Sequence, residues 1–246
     1  MAPVSESNLM IESILVKPGE TVCRVNFVIK RILDLIISVA ALLVFAPVML
    51  IAFIALKLSS PTESAIFRQD RVTRDGRVFQ MMKFRTMIAN AEQHTGPVWT
   101  VGVDHRVTRL GQWLRLTHID EMPQLFNVLS GDMSIVGPRP ERPVFVDQFA
   151  QTITAYENHH QVKTGITGYA QIKNPYPDME FIRDKTAWDL YYIENWSLRL
   201  ELWIIWETAA HLFESLGDLI ARKVFRMKPK PVLTPARQPV TQSPHQ

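Results

Sequence analysis

The chain has a single cysteine, Cys23, among 246 residues. One thiol excludes an internal disulfide framework and a multi-cysteine zinc site. Charge of one sign is also scarce: 27 basic residues against 24 acidic ones leave a formal +3, too little to indicate a nucleic-acid partner on net charge alone. The ten glycines build no phosphate-binding loop, and neither a zinc-protease motif nor a nucleophile elbow occurs. Internal repeats are missing as well. What is present is length enough for a hydrophobic core without staples and a hydrophobic share of 47%, ordinary for a soluble protein. That average conceals a very uneven distribution.

Leu35 to Leu56 is a run of 22 residues without one charged side chain. As a helix it measures about 33 Å, enough for a hydrocarbon core of ~30 Å. A soluble helix of this length nearly always carries a polar stripe, whereas only Ser38 is polar here. A cleaved signal peptide is disfavoured too, because a long segment precedes the run and no small-residue cleavage site follows it. Lys30 and Arg31 flank the front, Lys57 and Arg68 the back. Since basic flanks tend to stay cytoplasmic, a single span has no preferred orientation. Pro47 disturbs helical bonding near the middle, and neither arm beside it is long enough to cross alone. These features favour a re-entrant helix over residues 29–59, bent at Ala46-Pro47, with a spanning helix as the alternative.

Residues 1–28 form an N-terminal extension with two short apolar runs around Pro18-Gly19, readable as a strand pair or an amphipathic segment. After Pro61 the pattern is that of a globular domain, expected over 60–226. Strand-like pieces fall at 65–68 and 78–84, a polar loop at 95–104, and helices at 108–118, 121–129 and 140–160. A loop at Pro175–Pro177 precedes helices over 180–195 and 198–225. The tail over 227–246 is proline-rich, has no hydrophobic period, and is expected to be disordered.

Charge is patterned more strongly than its total. Six basic residues face two acids between Ile66 and Arg85, and six face none between Arg222 and Arg237; the remainder is acidic. Two basic patches in a chain with a membrane element suit anionic headgroups or a phosphate-rich ligand, although a solvated lysine and arginine face is the plainer reading. Trp196, Trp203 and Trp206 punctuate the last helix and suit a bilayer interface, with core packing as the alternative.

One segment is dense in chemistry-bearing residues, from Arg115 through the adjacent acids Asp120-Glu121 to Gly137-Pro138-Arg139-Pro140. Read plainly, Asp120 is the N-cap of a helix running to Leu129 and ended by Gly131. Yet the Gly-Pro-Arg-Pro turn holds one guanidinium rigidly, as phosphate recognition requires. Gly165-Ile-Thr-Gly168 is a second turn able to present backbone N–H groups to an anion. His159-His160 is read as surface, since neighbours on a helix point apart. Phosphate binders beside paired carboxylates suggest phosphoryl chemistry with a divalent metal.

Six ordered motifs then carry a resemblance: KRILDL, MMKFRTM, RVTRLGQWLR, HIDEMPQLFNVLSGDMSIVGPRPERP, TGITGYAQI and DLYYIENWS. From Lys30 to about Glu207 the chain resembles the bacterial sugar transferases, the monotopic polyprenyl-phosphate phosphoglycosyltransferases that initiate exopolysaccharides. The resemblance implies an α+β, mainly helical, monotopic membrane protein with a re-entrant helix-break-helix, its break at Pro47, a small β element and amphipathic interfacial helices. It implies transfer of a sugar-1-phosphate from a UDP-sugar to polyprenyl (undecaprenyl) phosphate with release of UMP, on the cytoplasmic face of the bacterial inner membrane. Asp120 occupies the nucleophile's place, with Glu121 as its partner. Mg2+ is the implied cofactor, with Glu121 and Asp189 as candidate ligands; Lys83, Arg115 and Arg139 fall at the basic positions of the motifs. Membrane lipid, a second copy of the chain or polysaccharide-assembly proteins are further candidate partners, and nucleic acid is not. The chain departs from the usual pattern at Ala46, Lys163-Thr164, Tyr169 and His118-Ile119, none of which removes a catalytic group. It also lacks the N-terminal transmembrane bundle of the larger relatives and so reads as a minimal catalytic unit. A non-catalytic scaffold of the same family is the alternative; the intact acid pair argues against it.

Overall fold

A computed structural model describes residues 25–93, 104–153, 155–173 and 182–225. Residues 1–24 of the expected extension over 1–28, most of the polar loop, the Pro175–Pro177 loop and the tail lie outside the described residues, while Asn26, Phe27 and Val28 of that extension belong to the start of the first helix. Asn26 starts the first helix, α1 (Phe27–Ser59), by accepting a hydrogen bond from the Ile29 N–H at 3.1 Å, as a side-chain N-cap should. Helical backbone continues across Ala46-Pro47, so helix joins the two arms and no non-helical linker does.

The burial of α1 is inverted relative to a soluble helix. Lys30, Asp34 and Ser38, spaced four apart on one face, are buried, while Val28, Ile32, Ile36, Leu43, Val44, Leu50, Ile51 and Leu58 are exposed. Three polar side chains near its start and one apolar cluster near its end tie α1 to the body. Lys30 forms an ion pair with Glu201. Arg31 donates to the carbonyls of Val128 and Leu129 at 2.6 and 2.8 Å. Asp34 accepts from Ser134 Oγ and the Ile135 N–H, both at 2.8 Å. Leu56 and Ala52 pack with Ala65, Phe84 and Leu114 near the other end. Helix α1 is long and apolar enough to cross a membrane, and a lipid-facing apolar surface with polar residues turned inward is what a bilayer solvent selects.

Strands β1 (Ile66–Val72) and β2 (Val78–Phe84) form an antiparallel hairpin, in register from Ile66 opposite Phe84 to Val72 opposite Val78, with Phe79, Met81 and Phe84 of β2 turned into the core. Its tip is a left-handed turn at Asp75-Gly76, the Asp-Gly chemistry that hairpin turns favour. Next come α2 (Arg109–Leu116), capped by Thr108, a 3-10 turn over Ile119–Glu121, and α3 (Gln124–Ser130), ended by Gly131 in the left-handed conformation. Strand β3 (Ser134–Val136) pairs in parallel with β4 (Gly165–Thr167). Between them lie α4 (Pro143–Thr152) and a 3-10 segment over Tyr156–Gln161. Short α5 (Tyr169–Lys173), α6 (Ile182–Glu194) and long α7 (Leu198–Phe225) complete the fold.

The expected α+β, mainly helical architecture is present, with differences in detail. The helix expected over 140–160 divides in two, since Ile153 is extended at φ −125° and ψ 108°, in a β-branched run that disfavours helix. His159 is buried, not at the surface, because the segment is a 3-10 turn whose rings stack edge-on against Tyr156 at 4.2 Å. The Gly165–Gly168 segment is strand β4, not an anion-binding turn. Its Gly165 N–H donates to the Pro138 carbonyl at 2.8 Å, and Thr167 accepts from the Gly137 N–H at 2.9 Å. The strand lies so close to the Gly-Pro-Arg-Pro turn that a Cβ on Gly165 would stand 2.1 Å from the Gly137 nitrogen.

The main core gathers Phe79, Met81, Val128, Met133, Val136, Leu190, Tyr192 and Ile204, with Ile37, Ala41 and Leu42 of α1 packed on it. On α7, Glu201 is buried and also accepts from Tyr192 at 2.7 Å and Trp196 at 2.9 Å. Leu198, Leu202, Trp206 and Phe213 on the same helix are exposed, whereas Trp196 packs against the core.

Candidate active site

The acid pair sits in the 3-10 turn between α2 and α3, not at the N-cap of a helix. Pro123 precedes α3 and no side chain caps that end, so the N-cap reading of Asp120 is corrected. His118 enters the turn in the left-handed conformation at φ 55°, a strained backbone for a non-glycine residue of the kind found at functional sites.

Adjacent in sequence, the two carboxylates meet opposite surroundings. Glu121 Oε1 accepts from Lys83 Nζ at 2.7 Å and from Arg139 Nη2 at 3.0 Å. Burial pushes its carboxyl up, but the two cations outweigh burial and hold it well below the usual carboxylate range. Asp120 is 7% exposed, and no hydrogen bond or ion pair to its carboxylate is found among the described residues. Burial first, then the Glu121 charge, push its carboxyl up to about 6, against the pull of Lys83, Arg115 and His118. At that value Asp120 is ~90% ionised at pH 7. Among the described residues it is thus a carboxylate without a partner beside a committed neighbour.

Strand β2 carries Lys83, and the rigid turn after β3 carries Arg139. Asn127 locks α3 onto β2 by accepting from the Met82 N–H at 2.9 Å and donating to the Gln80 carbonyl at 2.8 Å. In α2, Arg115 is held by Thr86 Oγ1 at 2.9 Å. Lys83 and Arg139 join Arg71, Gln124, Met81 and Pro140 in lining a small cleft of about 10 Å3. The structure therefore brings Asp120, Glu121, Lys83, Arg115 and Arg139 together.

Asp189 is placed differently. It is buried in α6, its carboxyl pushed up to about 7 by burial, against Lys185 and with Glu141. Lys185 pairs with Glu141, which also meets Arg71 at 3.5 Å. Asp189 thus faces that outer chain of charges, not the cations around Glu121. Among the described residues no group of three His, Cys, Asp or Glu side chains could hold a metal ion. The pair nonetheless fits a substrate-borne Mg2+, because Glu121 Oε2 and both Asp120 oxygens carry no hydrogen bond among the described residues. Such an ion commonly takes one or two carboxylates plus substrate phosphates.

Comparison with known proteins shows the family. A sequence model of the family described as bacterial sugar transferase matches residues 25–215. The chain belongs to that family. It is 44% identical over 190 residues to the UDP-N-acetylgalactosamine-undecaprenyl-phosphate N-acetylgalactosaminephosphotransferase of Aeromonas hydrophila, covering 77% of this chain and 44% of that protein. It is 40% identical over 202 residues to the UDP-glucose:undecaprenyl-phosphate glucose-1-phosphate transferase of Caulobacter vibrioides, covering 80% of this chain and 74% of that protein. The exopolysaccharide production protein PSS of Rhizobium leguminosarum bv. phaseoli is 36% identical over 189 residues, covering 74% and 94%. The chain thus spans less than half the length of the Aeromonas relative and most of the other two.

Sequence reasoning did not single out Arg71, Gln124, Asn127 or Glu141. Arg71 had a signal, as one of the six basic residues between Ile66 and Arg85. Gln124, Asn127 and Glu141 lie within the quoted motif HIDEMPQLFNVLSGDMSIVGPRPERP, but nothing local shows that a polar residue in a short helix will face inward against a strand.

Proposed function

We propose that the chain transfers a sugar-1-phosphate from a UDP-sugar to undecaprenyl phosphate, and the observation that carries this is the contrast between the uncommitted Asp120 and the clamped Glu121. In this reading an Asp120 oxygen attacks the sugar-bearing phosphorus of the donor. A bond forms from that oxygen to phosphorus, and the bond to the bridging oxygen breaks, releasing UMP. A phosphate oxygen of the lipid then attacks the same phosphorus. The bond to Asp120 breaks, its carboxylate is restored, and the lipid-linked diphosphosugar leaves.

The difficulty is an anion attacking an anion. Two unit charges 4 Å apart repel by about 4 kcal/mol at an effective dielectric of 20, so fixed cations must offset much of that cost. Lys83, Arg139 and Arg115 supply them, and Arg71 adds a fourth from the cleft wall. Glu121 keeps Lys83 and Arg139 aimed at the reacting phosphate. Bound Mg2+ would neutralise diphosphate charge and the leaving UMP; the reading gives it to Glu121 and to substrate oxygens, and leaves Asp189 out.

The same reading places the body on the cytoplasmic face of the inner membrane, with α1 re-entrant. Residues 30 and 56 would be about 39 Å apart on a straight helix, longer than a bilayer core, yet both ends rest on the same body through Glu201 and through Ala65 and Phe84. The exposed apolar face of α7 supports an interfacial position beside it. A catalytic body fixed in this way meets the phosphate of a lipid acceptor without extracting its tail.

The test is UMP release from a panel of UDP-sugars by the detergent-solubilised chain with undecaprenyl phosphate and Mg2+. Release with one sugar, lost on omitting Mg2+ and in Asp120→Asn, is expected. Silence across the panel from folded protein would return the scaffold reading.

A further inference from the structure

At the far end of the hairpin lies a second concentration of charge that the catalytic reading leaves unused. A cavity of about 340 Å3 is lined by Thr73, Arg74, Asp75, Arg77, Gly131 and Lys163. Arg31 reaches the same place, for a Cβ on Gly131 would lie 3.5 Å from Lys163 Nζ and 3.7 Å from Arg31 Nη2. Four cations therefore meet here. Two have acids: Asp75 pairs with Arg74 at 3.1 Å and Asp132 with Arg77 at 2.9 Å. The Arg31 fork is spent on the neutral carbonyls of Val128 and Leu129, and Lys163 has no hydrogen bond or ion pair among the described residues. Burial, then the charges of Arg31, Arg74 and Arg77, hold the Lys163 ammonium below its ordinary range. Asp34 pulls the other way on Lys163 but is turned to Ser134 and the Ile135 N–H, so cations outnumber acids around the cavity, an excess that a bound anion would offset.

Position identifies the anion. The cavity stands at the first turns of α1, where Arg31 faces the body and Val28 and Ile32 face outward. The Arg74 guanidinium lies 5.0 Å from the centre of the Phe27 ring, at the start of the lipid-facing helix. That is the headgroup level of a bilayer, whether α1 re-enters or spans. Arg77 and Lys83 are separated by about 20 Å of extended strand, so a ligand here does not occupy the catalytic cleft. We propose that the cavity binds the phosphate of an anionic glycerophospholipid headgroup. Thr164 helps to shape the wall: its N–H and hydroxyl both reach Thr73 Oγ1 at 3.3 Å. The proposal is independent of the catalytic reading, since it needs only the placement of α1 at a membrane.

The test titrates the full chain in neutral detergent with short-chain phosphatidylglycerol, short-chain phosphatidylcholine or inorganic phosphate, following the thermal unfolding midpoint. Phosphatidylglycerol should raise the midpoint saturably and the other two should not. The double variant Arg77→Gln/Lys163→Gln should weaken that response by about tenfold or more, given roughly 1 kcal/mol per basic residue at an anionic surface. Exposed Arg199→Gln should leave it unchanged. An equal response to phosphatidylcholine, or to inorganic phosphate, would overturn the assignment to an anionic lipid. So would no response to phosphatidylglycerol in the native chain, a result that needs no variant to fold. An undiminished response in the double variant would overturn the assignment to this cavity.

Discussion

The β1–β2 hairpin carries a charged site at each end, and the two treat their cations in opposite ways. At the Lys83 end the guanidinium and ammonium converge on Glu121, so positive charge is fixed in place before any substrate arrives. At the Arg74–Arg77 tip the cations face an open cavity, and Lys163 has no hydrogen bond or ion pair among the described residues. Pre-aimed cations suit a charge that develops only briefly, because no reorganisation is needed when it appears. An unmatched cluster suits a standing ligand that is present most of the time. Asp120 sharpens the contrast, since among the described residues its carboxylate has no hydrogen bond or ion pair, whereas that of Glu121 has two.

Variants can break this comparison, beginning with the largest effect. Asp120→Asn should abolish transfer, by more than about 10^3-fold, and yet stabilise the fold. The folded carboxyl sits at about 6 against an ordinary 3.8, so the folded state holds its proton more tightly. Stability therefore falls as pH rises from about 4 to 6, and the full penalty of about 3 kcal/mol persists at pH 7. Asparagine removes it, which a rise in unfolding midpoint at pH 7 would show. Glu121→Gln should cost transfer about 10^2–10^3-fold, and here the unfolding midpoint should fall. Lys83 and Arg139 would be left without their shared acid, a loss on the order of 3 kcal/mol. Opposite stability changes from neighbouring amide swaps are the signature of the two environments.

Further from the chemistry, Lys30→Met should destabilise the chain by about 3 kcal/mol because it strands the Glu201 charge in the core. Lys30→Met/Glu201→Gln should recover part of that loss, and transfer per folded molecule should stay within a few-fold of native. The smallest effect is the pH profile: between pH 7 and pH 5 the ionised share of Asp120 drops from ~90% to ~10%. Transfer should fall about tenfold over that range, while Asp120-independent membrane association should not.

How much of this was legible in the sequence differs by element. The strand-like pieces at 65–68 and 78–84 were legible, but the run of β1 on to Val72 and the pairing of the two strands across Asp75-Gly76 were not read. The acid pair and its cations were legible from ordered motifs. Their unequal environments were not, because the partners that separate Asp120 from Glu121 come from β2 and the turn after β3, distant along the chain. KRILDL could be recognised but not explained until Lys30, Arg31 and Asp34 were seen to face inward from an apolar helix. Gly165–Gly168 misled for the same reason: glycines that permit close backbone approach look, in sequence, like glycines that expose N–H groups. His159 was misread by assuming helical spacing in a 3-10 turn.

The covalent role of Asp120 is the central claim, and intact-protein mass spectrometry tests it most directly. The chain would be mixed with its UDP-sugar and Mg2+ in the absence of lipid acceptor, then digested to locate any added mass. A phosphosugar adduct on the peptide containing Asp120, with UMP released at up to one per chain and neither seen in Asp120→Asn, is the expected result. Turnover on adding undecaprenyl phosphate, with no adduct and no UMP before it, would contradict the account.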